Sequence, residues 1–487
     1  MGSRESRTGA GDAATQPARV AMREAAFFER PVRLRLPFRF GVVTLTEAPQ
    51  IFVRARIALA DGRESEGIAA ELLVPKWFDK SPALSHQENF AQLRASLVIA
   101  RELMSAAGTH TPFGLSAAIE ATQHARCAAR GLNGLVASFG LALLDRAVLD
   151  ALGRAEKTPA AELARTNRIG LTHETAQDLA GFDLAAFLAS LQPVPAIFAR
   201  HTVGLVDALT RAEIAHRLDD GLPESLEEAI ARYRHRYFKL KVAGDVEADL
   251  DRLARIAAVL DRSDEPYRAT LDGNEQYDSV DGVVRLWRRM GEEPRLARLK
   301  SALLCIEQPI TRSRALDEPV HVMAHEVPME IDESDAEIGA FPRARALGYR
   351  GISTKSCKGF YRALLNRARV ARWNAEEGGY FMSAEDLTTQ AGVAVQQDLA
   401  LASLVGAAHV ERNGHHYVDG MKGMPMHEQD AFLAAHPDLY HRAPAGHVRL
   451  TISDGAIALG SLATPGLGSA VIPDLDAMTP SPVPTLA

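Results

Sequence analysis

Six short apolar segments between residues 237 and 386 carry, at or near their ends, side chains that can transfer protons or bind metal ions. In chain order these residues are Lys239 with Lys241, Asp272, Glu307, Asp332, Lys355, and Glu385 with Asp386. Carboxylate oxygens are preferred ligands of hard cations such as Mg²⁺, and a lysine amine acts as a base when its pKa is lowered. Three carboxylates that stand between lysines therefore predict a divalent metal ion flanked by two bases.

The elements around these residues indicate how the chain positions them. The six segments are typical of buried parallel strands, and helical stretches at 246–260, 280–290 and 361–373 separate some of them. Alternating strands and helices favour parallel βαβ units. Because a barrel of such units carries its chemistry at the C-terminal ends of its strands, we expect an α/β barrel with the site at that end.

The two lysines of the first segment, Lys239 and Lys241, lie two residues apart, so both side chains leave the strand on the same face. Two neighbouring ammonium groups disfavour each other's charged form, which predicts lowered lysine pKa values. The first barrel strand is expected near residue 195, before these segments, so the segment that ends at Lys355 is the sixth strand of an eight-stranded barrel. Lys355 should therefore face Lys241 across the metal. Lys358 is the weaker candidate because it does not continue the strand directly. Two bases on opposite faces of a substrate suit removal and return of a proton at one carbon.

The three carboxylates have an alternative interpretation. Any one of them could cap the helix that follows its strand, but three at successive strand ends favour a shared metal ion. Neighbouring polar residues that could support the metal ligands or contact substrate are Asn274, Gln308, Glu333 and Glu385.

At 487 residues the chain exceeds one barrel of about 250 residues. Alternating apolar residues from 32 to 71, interrupted by Asp61-Gly62, predict an antiparallel hairpin, and residues 86–153 have a helical pattern. A second hairpin is predicted at 448–459, paired with the N-terminal sheet. The expected organisation is given by four ranges: a disordered tail at 1–20, an α+β domain with connecting helices at 21–194, the barrel at 195–440, and a C-terminal segment at 441–487 that returns to the α+β domain.

Composition excludes several classes of function. A net charge of −7 without a basic cluster argues against a nucleic-acid partner. We find no apolar segment of the roughly 20 residues that a membrane span needs, so no membrane partner is expected. Three widely spaced cysteines match neither a disulfide framework nor a CxxC metal site. We therefore expect a cytoplasmic protein with reduced cysteines.

These motifs resemble the enolase superfamily, and within it the muconate lactonizing enzyme subgroup. Besides the Lys-x-Lys pair and Lys355, the segments that carry the resemblance are Leu141–Asp145, Ile306–Pro309 and Asp332–Ser334. The resemblance covers residues 30–470 and implies a modified (β/α)7β TIM barrel under an N-terminal α+β capping domain that the C-terminal segment completes. It implies that Asp272, Glu307 and Asp332 bind Mg²⁺, that Lys241 and Lys355 form the acid/base pair, that Lys239 assists Lys241, and that the chain is a homo-oligomer.

Substrate specificity in this family comes from loops of the capping domain, here 38–41 and 73–78. Trp77 in the second loop could exclude water from the barrel mouth, and Arg39 or Lys76 could meet an anionic group of the substrate. Packing between the domains is an equally good interpretation of the aromatic side chains. His415 and His416 follow the eighth strand and could line the mouth, but adjacent histidines in a loop are more often solvated, so we expect them in a solvated loop outside the site.

The resemblance implies a Mg²⁺-dependent isomerase that removes the α-proton of a carboxylate substrate through a metal-stabilised enediolate, most simply a racemase or an epimerase. The eighth strand lacks the Asp-x-Asp of dipeptide epimerases, which disfavours that substrate class. Three alternatives stay open: β-elimination of the dehydratase or o-succinylbenzoate synthase type, cycloisomerisation on the same site, and a non-catalytic metal-binding barrel.

Overall fold

The structure is a computed structural model that describes residues 16–41, 43–323 and 325–482. Most of the tail predicted at 1–20 lies outside the described residues. From residue 16 onward the chain leads directly into the first strand, and the backbone N–H of Ala18 donates to the carbonyl of Arg168 at 2.8 Å.

An antiparallel sheet and three long helices form the N-terminal domain. Its elements are β1 (Val20–Phe40), β2 (Val43–Leu59), β3 (Glu64–Leu72), α1 (His86–Ala106), α2 (Pro112–Ala128) and α3 (Gly134–Glu156). Ser85 and Glu88 form a capping box that starts α1. Gly67 lets β3 lie against α3, since a Cβ at this residue would come 2.1 Å from the backbone nitrogen of Ala151.

Eight parallel strands close into a barrel. They are β4 (Ala196–Val203), β5 (Tyr237–Lys241), β6 (Arg268–Asp272), β7 (Leu303–Glu307), β8 (Met329–Ile331), β9 (Gly351–Thr354), β10 (Phe381–Ala384) and β11 (His409–Arg412). The last strand pairs with the first in parallel, with Val410 opposite Ala199. The predicted fold class, an α/β TIM-like barrel with an α+β capping domain, is confirmed.

Helices connect the two domains and surround the barrel. The connecting helices are α4 (Ala160–Arg165) and α5 (Leu184–Ser190), and the barrel helices are α6 (Leu226–Tyr233), α7 (Val246–Leu260), α8 (Val280–Glu292), α9 (Ala297–Ala302), α10 (Arg312–Ala315), α11 (Ala340–Ala346), α12 (Phe360–Glu376), α13 (Val393–Leu404), α14 (Gly414–Tyr417) and α15 (Met426–Ala435). Within the described part of the chain, none of these helices has the length and apolarity needed to cross a membrane.

The C-terminal segment differs from the prediction. It contains β12 (Tyr440–Arg442), β13 (Val448–Leu450), β14 (Ala456–Ala458) and β15 (Thr479–Pro480). The predicted hairpin of β13 with β14 is wrong: β13 pairs with β12, and β14 adds to the first barrel strand β4. The turn at Asp454-Gly455 exists, but the short strands on its two sides find partners far away in the sequence. Of the described strands of this segment, β15 alone reaches the N-terminal sheet, where it pairs with β1.

Candidate active site

The predicted site residues lie at the C-terminal ends of successive barrel strands. Lys239 and Lys241 are on β5, Asp272 ends β6, Glu307 ends β7, Asp332 follows β8, Lys355 follows β9 and Glu385 follows β10. All seven side chains are buried. Because parallel strands end at the same rim of the barrel, the structure brings these residues together as the strand spacing predicted.

The ammonium group of Lys239 lies among four carboxylates. Its Nζ is 2.9 Å from Asp272 Oδ2, 2.8 Å from Glu307 Oε1, 2.8 Å from Glu385 Oε2 and 2.9 Å from Glu411 Oε2. With an exposure of only 1%, this lysine neutralises negative charge that water cannot reach. Lys239 therefore occupies the centre of the predicted carboxylate site.

The prediction that the paired lysines have lowered pKa values is wrong for Lys239. Burial lowers the pKa of its amine, but the four surrounding carboxylates outweigh burial and hold the pKa well above its usual range. The pKa of Lys355 is also raised well above its usual value, because Asp332 and Glu385 overcome the opposing effect of burial. Reasoning from the lysine pair alone left out the carboxylates around it.

Lys241 and Lys355 stand on the second and sixth of the eight strands, on opposite sides of the barrel. Lys241 Nζ lies 2.5 Å from Asp272 Oδ2. Lys355 Nζ contacts Asp332 Oδ1 and Glu385 Oε2, both at 2.6 Å. The two proposed bases are therefore linked through alternating positive and negative groups, with Lys239 between them.

Asp332 is held by two lysines and by the side chain of Gln308. Lys358 Nζ lies 2.9 Å from the same carboxylate that Lys355 contacts. Burial raises the pKa of Asp332, but these two ammonium groups more than reverse the effect, so the pKa falls below its usual value. Gln308 Oε1 accepts hydrogen bonds from the backbone N–H groups of Asp332 at 2.8 Å and Ser334 at 3.1 Å, which fixes the loop that carries the carboxylate.

A cavity of about 30 Å³ lies between the strand ends and the capping domain. Its barrel wall includes both proposed bases and two of the predicted ligands: Lys239, Lys241, Asp272, Asn274, Asp332, Lys355 and Asn413. Glu307 does not line the cavity among the described residues, because the ammonium group of Lys239 covers it. A cavity of this size has room for about one or two water molecules.

The capping domain supplies Phe38, Phe40 and Trp77 to the roof of this cavity. Lys355 Nζ lies 5.1 Å from the centroid of the Trp77 ring, a cation–π distance. Arg39, by contrast, is exposed and lies outside the cavity wall. Lys76 Nζ donates to the carbonyls of its own loop, at Ser81 and Leu84. Neither of the two candidate anion-binding residues therefore points into the site.

Instead, Lys80 carries the positive charge that the capping loop brings to the barrel. Its Nζ lies 2.5 Å from Glu275 Oε2 and 3.3 Å from Glu333 Oε1. Asn274 Nδ2 donates to the same Glu333 oxygen at 3.4 Å. Arg312 pairs with Glu275 at 2.8 Å and donates to the carbonyl of Trp77 at 2.8 Å. Asn274 and Glu333 thus belong to a charged network that fastens the capping loop to the barrel mouth.

Sequence reasoning missed three charged residues of the barrel interior: Arg200, Glu330 and Glu411. Arg200 Nη2 contacts Glu385 Oε1 at 2.5 Å. Oxygens of Glu307, Glu330 and Glu385, one from each residue, all lie within 4.8 Å of one another. Glu330 precedes Asp332 by two residues, so the alternation of strand side chains was a signal for its inward direction.

The donor chemistry of the site fits a hard divalent cation. Asp272, Glu307 and Asp332 contribute carboxylates from three successive strands, and all are buried. Asn274 Oδ1, buried next to Asp272, accepts no hydrogen bond among the described residues. Lysine ammonium groups contact all three carboxylates. A metal ion would therefore contact the same oxygens together with the lysines or displace the lysines from them.

His415 and His416 lie in α14 and are buried, with exposures of 8% and 3%. The expectation of a solvated loop after the eighth strand is wrong for both. The chain turns into a short helix there and packs both imidazoles against the first barrel strand. The ring centroids of His415 and of His201 on that strand are 5.3 Å apart.

Comparison by sequence finds no matching protein-family model and no matching curated protein. Comparison by structure does find relatives of the fold. The chain matches a muconate lactonizing enzyme from Pseudomonas fluorescens, complexed with muconolactone, at a TM-score of 0.56 and 18% identity, over 93% of this chain and 97% of that chain.

Two further matched structures have other enzyme names and other bound ligands. One is a dipeptide epimerase from Enterococcus faecalis, complexed with Mg and L-Leu-L-Tyr, at a TM-score of 0.58 and 14% identity, over 92% of this chain and 99% of that chain. The other is an enolase from Bradyrhizobium, complexed with magnesium and mandelic acid, at a TM-score of 0.56 and 16% identity, over 93% and 96% of the two chains. Identities this low carry information about architecture and not about the reaction. The chain therefore has the fold of the mandelate racemase and muconate lactonizing enzyme structures of the enolase superfamily.

Proposed function

We propose that the protein is a Mg²⁺-dependent isomerase of the enolase superfamily that removes the α-proton of a small carboxylate substrate, in a racemisation or an epimerisation. The observation that carries the proposal is the position of Lys241 and Lys355. They stand on opposite sides of the barrel and line one cavity together with Asp272 and Asp332. Two amines on either side of one carbon suit removal of the proton from one face and its return to the other.

The residues that would hold Mg²⁺ are Asp272, Glu307 and Asp332. When bound, the ion would supply positive charge beside the substrate carboxylate and so lower the free energy of the enediolate. The same oxygens now contact ammonium groups. Since a divalent cation removes the negative charge that raises the pKa of Lys355, metal binding would favour the neutral amine that a base requires.

The remaining groups of the site orient the substrate and exclude water. The aromatic side chains of Phe38, Phe40 and Trp77 roof the cavity, and a dry site strengthens the electrostatic interactions inside it. The ion pairs of Lys80 would hold this roof closed during proton transfer. Opening of the loop would then admit substrates larger than the closed cavity.

Proton exchange with solvent tests the two-base proposal. A library of chiral α-substituted carboxylates in D₂O with Mg²⁺ is screened by proton NMR for loss of the α-proton signal. For a substrate found in this way, Lys241→Ala should retain exchange with one enantiomer only, and Lys355→Ala with the other only. Racemisation should fall by at least about a thousandfold in both variants. Lys422→Ala, at a surface lysine whose side chain is 67% exposed, is the matched control and should exchange both enantiomers.

Loss of exchange with both enantiomers in Lys355→Ala, together with full exchange in Lys241→Ala, would contradict the two-base mechanism. No exchange with any acid despite Mg²⁺ binding would favour the non-catalytic barrel.

A second candidate function is cycloisomerisation or β-elimination with a single base. The asymmetry between the two lysines favours it: Lys355 contacts two carboxylates and faces Trp77, whereas Lys241 forms an ion pair with Asp272 alone among the described residues. In that case one lysine acts as the base and the other steadies negative charge. Product analysis distinguishes the candidates, because elimination or ring closure changes the carbon skeleton or the mass, and racemisation does not.

A further inference from the structure

Three buried histidines, His201, His235 and His415, form a cluster outside the barrel interior. On β4, His201 stands between Arg200 and Thr202, whose side chains reach Glu385 and Glu411 inside the barrel. Because alternate residues of a strand point to opposite faces, the imidazole of His201 points away from the proposed active site. The cluster is thus separate from the lysines and carboxylates described above.

The three histidines lie close enough together to bind one metal ion. One ring nitrogen from each histidine lies within 4.8 Å of the other two. The ring centroids are 5.0 Å apart for His201 and His235, 5.3 Å for His201 and His415, and 5.1 Å for His235 and His415. His201 Nδ1 and His415 Nε2 lie 3.2 Å apart. Two nitrogens bound at 2.0–2.1 Å to a tetrahedral metal stand about 3.3 Å apart.

His235 has the hydrogen-bonding pattern of a metal ligand. Its Nδ1 lies 3.2 Å from the carbonyl oxygen of Ala199, so the proton on Nδ1 leaves a lone pair on Nε2. Nε2 is buried and has no hydrogen-bond partner among the described residues. Histidines that bind metals usually donate their other ring N–H to a carbonyl or carboxylate in this way. A buried nitrogen that lacks a hydrogen-bond partner among the described residues, in a side chain that is 6% exposed, has a use if it binds an ion.

The protonation state also suits metal binding. Burial lowers the pKa of His235 to about 4 and holds those of His201 and His415 well below their usual value. All three rings are therefore neutral at pH 7, the form that binds metals. Two of the arginines that line the cavity beside His415 are paired with carboxylates, Arg412 with Asp386 and Arg449 with Asp419. Imidazole ligands without carboxylates favour Zn²⁺, Ni²⁺ or Cu²⁺ over Mg²⁺.

We propose that His201, His235 and His415 bind one transition-metal ion of the Zn²⁺ type, at a site distinct from the proposed Mg²⁺ site. A cavity of about 30 Å³ borders His415, which is enough room for a water molecule as the fourth ligand. The proposal does not depend on the reaction that the barrel catalyses.

The position of the site indicates a structural role at the closure of the barrel. His201 lies on the first strand β4, His235 precedes the second strand β5, and His415 follows the last strand β11. A barrel closes by pairing its first and last strands, here β4 with β11, across a long stretch of sequence. A metal ion that binds all three segments would cross-link this closure, since structural metal sites contribute their binding free energy to folding.

Cobalt spectroscopy tests the proposal on the full-length protein. The chain is treated with a chelator, checked for retained secondary structure, and titrated with Co²⁺ alone. We expect intense visible d–d bands of a four-coordinate site that saturate at one ion per chain, and displacement by Zn²⁺ but not by excess Mg²⁺. In His235→Gln and His415→Gln the Co²⁺ affinity should fall by more than about 100-fold.

Two controls separate this site from others. His441→Gln removes a histidine of the neighbouring cavity wall that is outside the cluster and should leave the bands unchanged. Asp272→Asn and Glu307→Gln alter the proposed Mg²⁺ site and should also leave them unchanged. A failure of the proposed Mg²⁺-dependent reaction would thus be distinguishable from a failure of the histidine site.

Thermal unfolding of the wild-type chain provides a readout that does not rely on the variants. Zn²⁺ should raise the Tm of the chelator-treated protein by several degrees at micromolar concentration, because a ligand that binds only the folded state stabilises it. Absence of both the four-coordinate bands and the Tm shift in the wild-type protein would overturn the proposal. So would bands that persist in both His235→Gln and His415→Gln.

Discussion

At the scale of single residues, Lys239 shows how strongly this barrel depends on charge balance. Four carboxylates lie within 3 Å of its Nζ, and water reaches none of them freely. A buried ion pair is stable only while both partners are present, because a charge left alone in the interior has lost its hydration. Lys239 is therefore important for the stability of the strand ends.

Replacement of Lys239 by methionine should reveal this role. Lys239→Met keeps most of the side-chain volume but removes the positive charge, so the free energy of unfolding should fall by about 3–5 kcal/mol without Mg²⁺. Added Mg²⁺ should restore part of the loss, since the cation would neutralise the same oxygens. Urea unfolding with and without Mg²⁺ measures both effects, with Lys422→Met as a control that should change neither. An equal loss at all Mg²⁺ concentrations would contradict metal binding at these carboxylates.

Asp145 in α3 gives the fold a dependence on pH. Burial raises the pKa of this carboxyl group well above its usual value, and the hydroxyl of Ser116, which donates to it at 2.8 Å, does not reverse the effect. The folded state therefore keeps a proton that the unfolded state releases above about pH 4. The contribution of Asp145 to the free energy of unfolding is therefore complete below about pH 4 and is lost as the pH rises towards the pKa of the folded state.

Asp145→Asn should remove that dependence. The wild type loses stability as the pH rises above about 4, whereas the uncharged Asn does not. The difference in free energy of unfolding, variant minus wild type, should therefore increase with pH, with a slope of at most about 1.4 kcal/mol per pH unit. Urea titrations at pH 5, 6.5 and 8 measure it. Asp61→Asn, at an exposed residue whose pKa is lowered by Arg63, is the control and should show no such rise. A constant difference across this range would refute a protonated Asp145.

At the scale of elements, the capping loop at 73–80 decides whether the barrel mouth is open. Its aromatic residues pack on the site, with Trp77 over Lys355 and Phe78 against Phe139. Lys80 of the loop pairs with Glu275 of the barrel, and Arg312 of the barrel donates to the carbonyls of Trp77 and Phe78. The apolar contacts are non-directional, so the ion pairs fix where the loop lies.

Lys80→Met should loosen this loop without changing the catalytic groups. Loss of charged hydrogen bonds worth about 1.5 kcal/mol should make chymotryptic cleavage at Trp77 or Phe78 about tenfold faster. Limited proteolysis followed by mass spectrometry measures the rate at these two bonds. Lys422→Met should be cleaved like the wild type. Unchanged protection in Lys80→Met would mean that the aromatic packing alone keeps the loop closed.

At the scale of the whole molecule, one apolar cluster spans both domains and a second lies within the barrel. Buried side chains of the N-terminal sheet and of α3 belong to the same cluster as those of the barrel helices α12 and α13. Gln397 on α13 donates to the carbonyl of Ile68 on β3 at 2.8 Å, and Arg146 pairs with Glu71 at 3.0 Å nearby. We infer that the barrel and its cap unfold together.

A fragment of residues 193–470 tests this inference. Without the capping domain, the fragment exposes the apolar surfaces of α12 and α13 to water, so it should show no cooperative thermal transition and should bind a hydrophobic dye. The full chain should unfold in one transition that is coincident by circular dichroism and by tryptophan fluorescence. A cooperative transition in the fragment would show that the barrel folds independently.

Much of this architecture was accessible from the sequence because its signals are local. Most barrel strands lie in short apolar segments, and the strand fixes the direction of the residue at its end. This is why Asp272, Glu307 and Lys355 could be placed from spacing. The hairpin at 448–459 could not be placed, since short strands pair with whichever edge the tertiary structure offers, here β4 and β12.

The sequence by itself determined the order of strands and helices, the seven polar residues at the strand ends and the resemblance that follows from them. Tertiary structure alone decided what surrounds each group: the carboxylates that raise the pKa of Lys239, the loop that brings Lys80 and not Arg39 to the mouth, and the assembly of His201, His235 and His415. The physical reason is that periodicity along the chain fixes the direction of a side chain, whereas its charge environment depends on residues far away in sequence that only folding brings near.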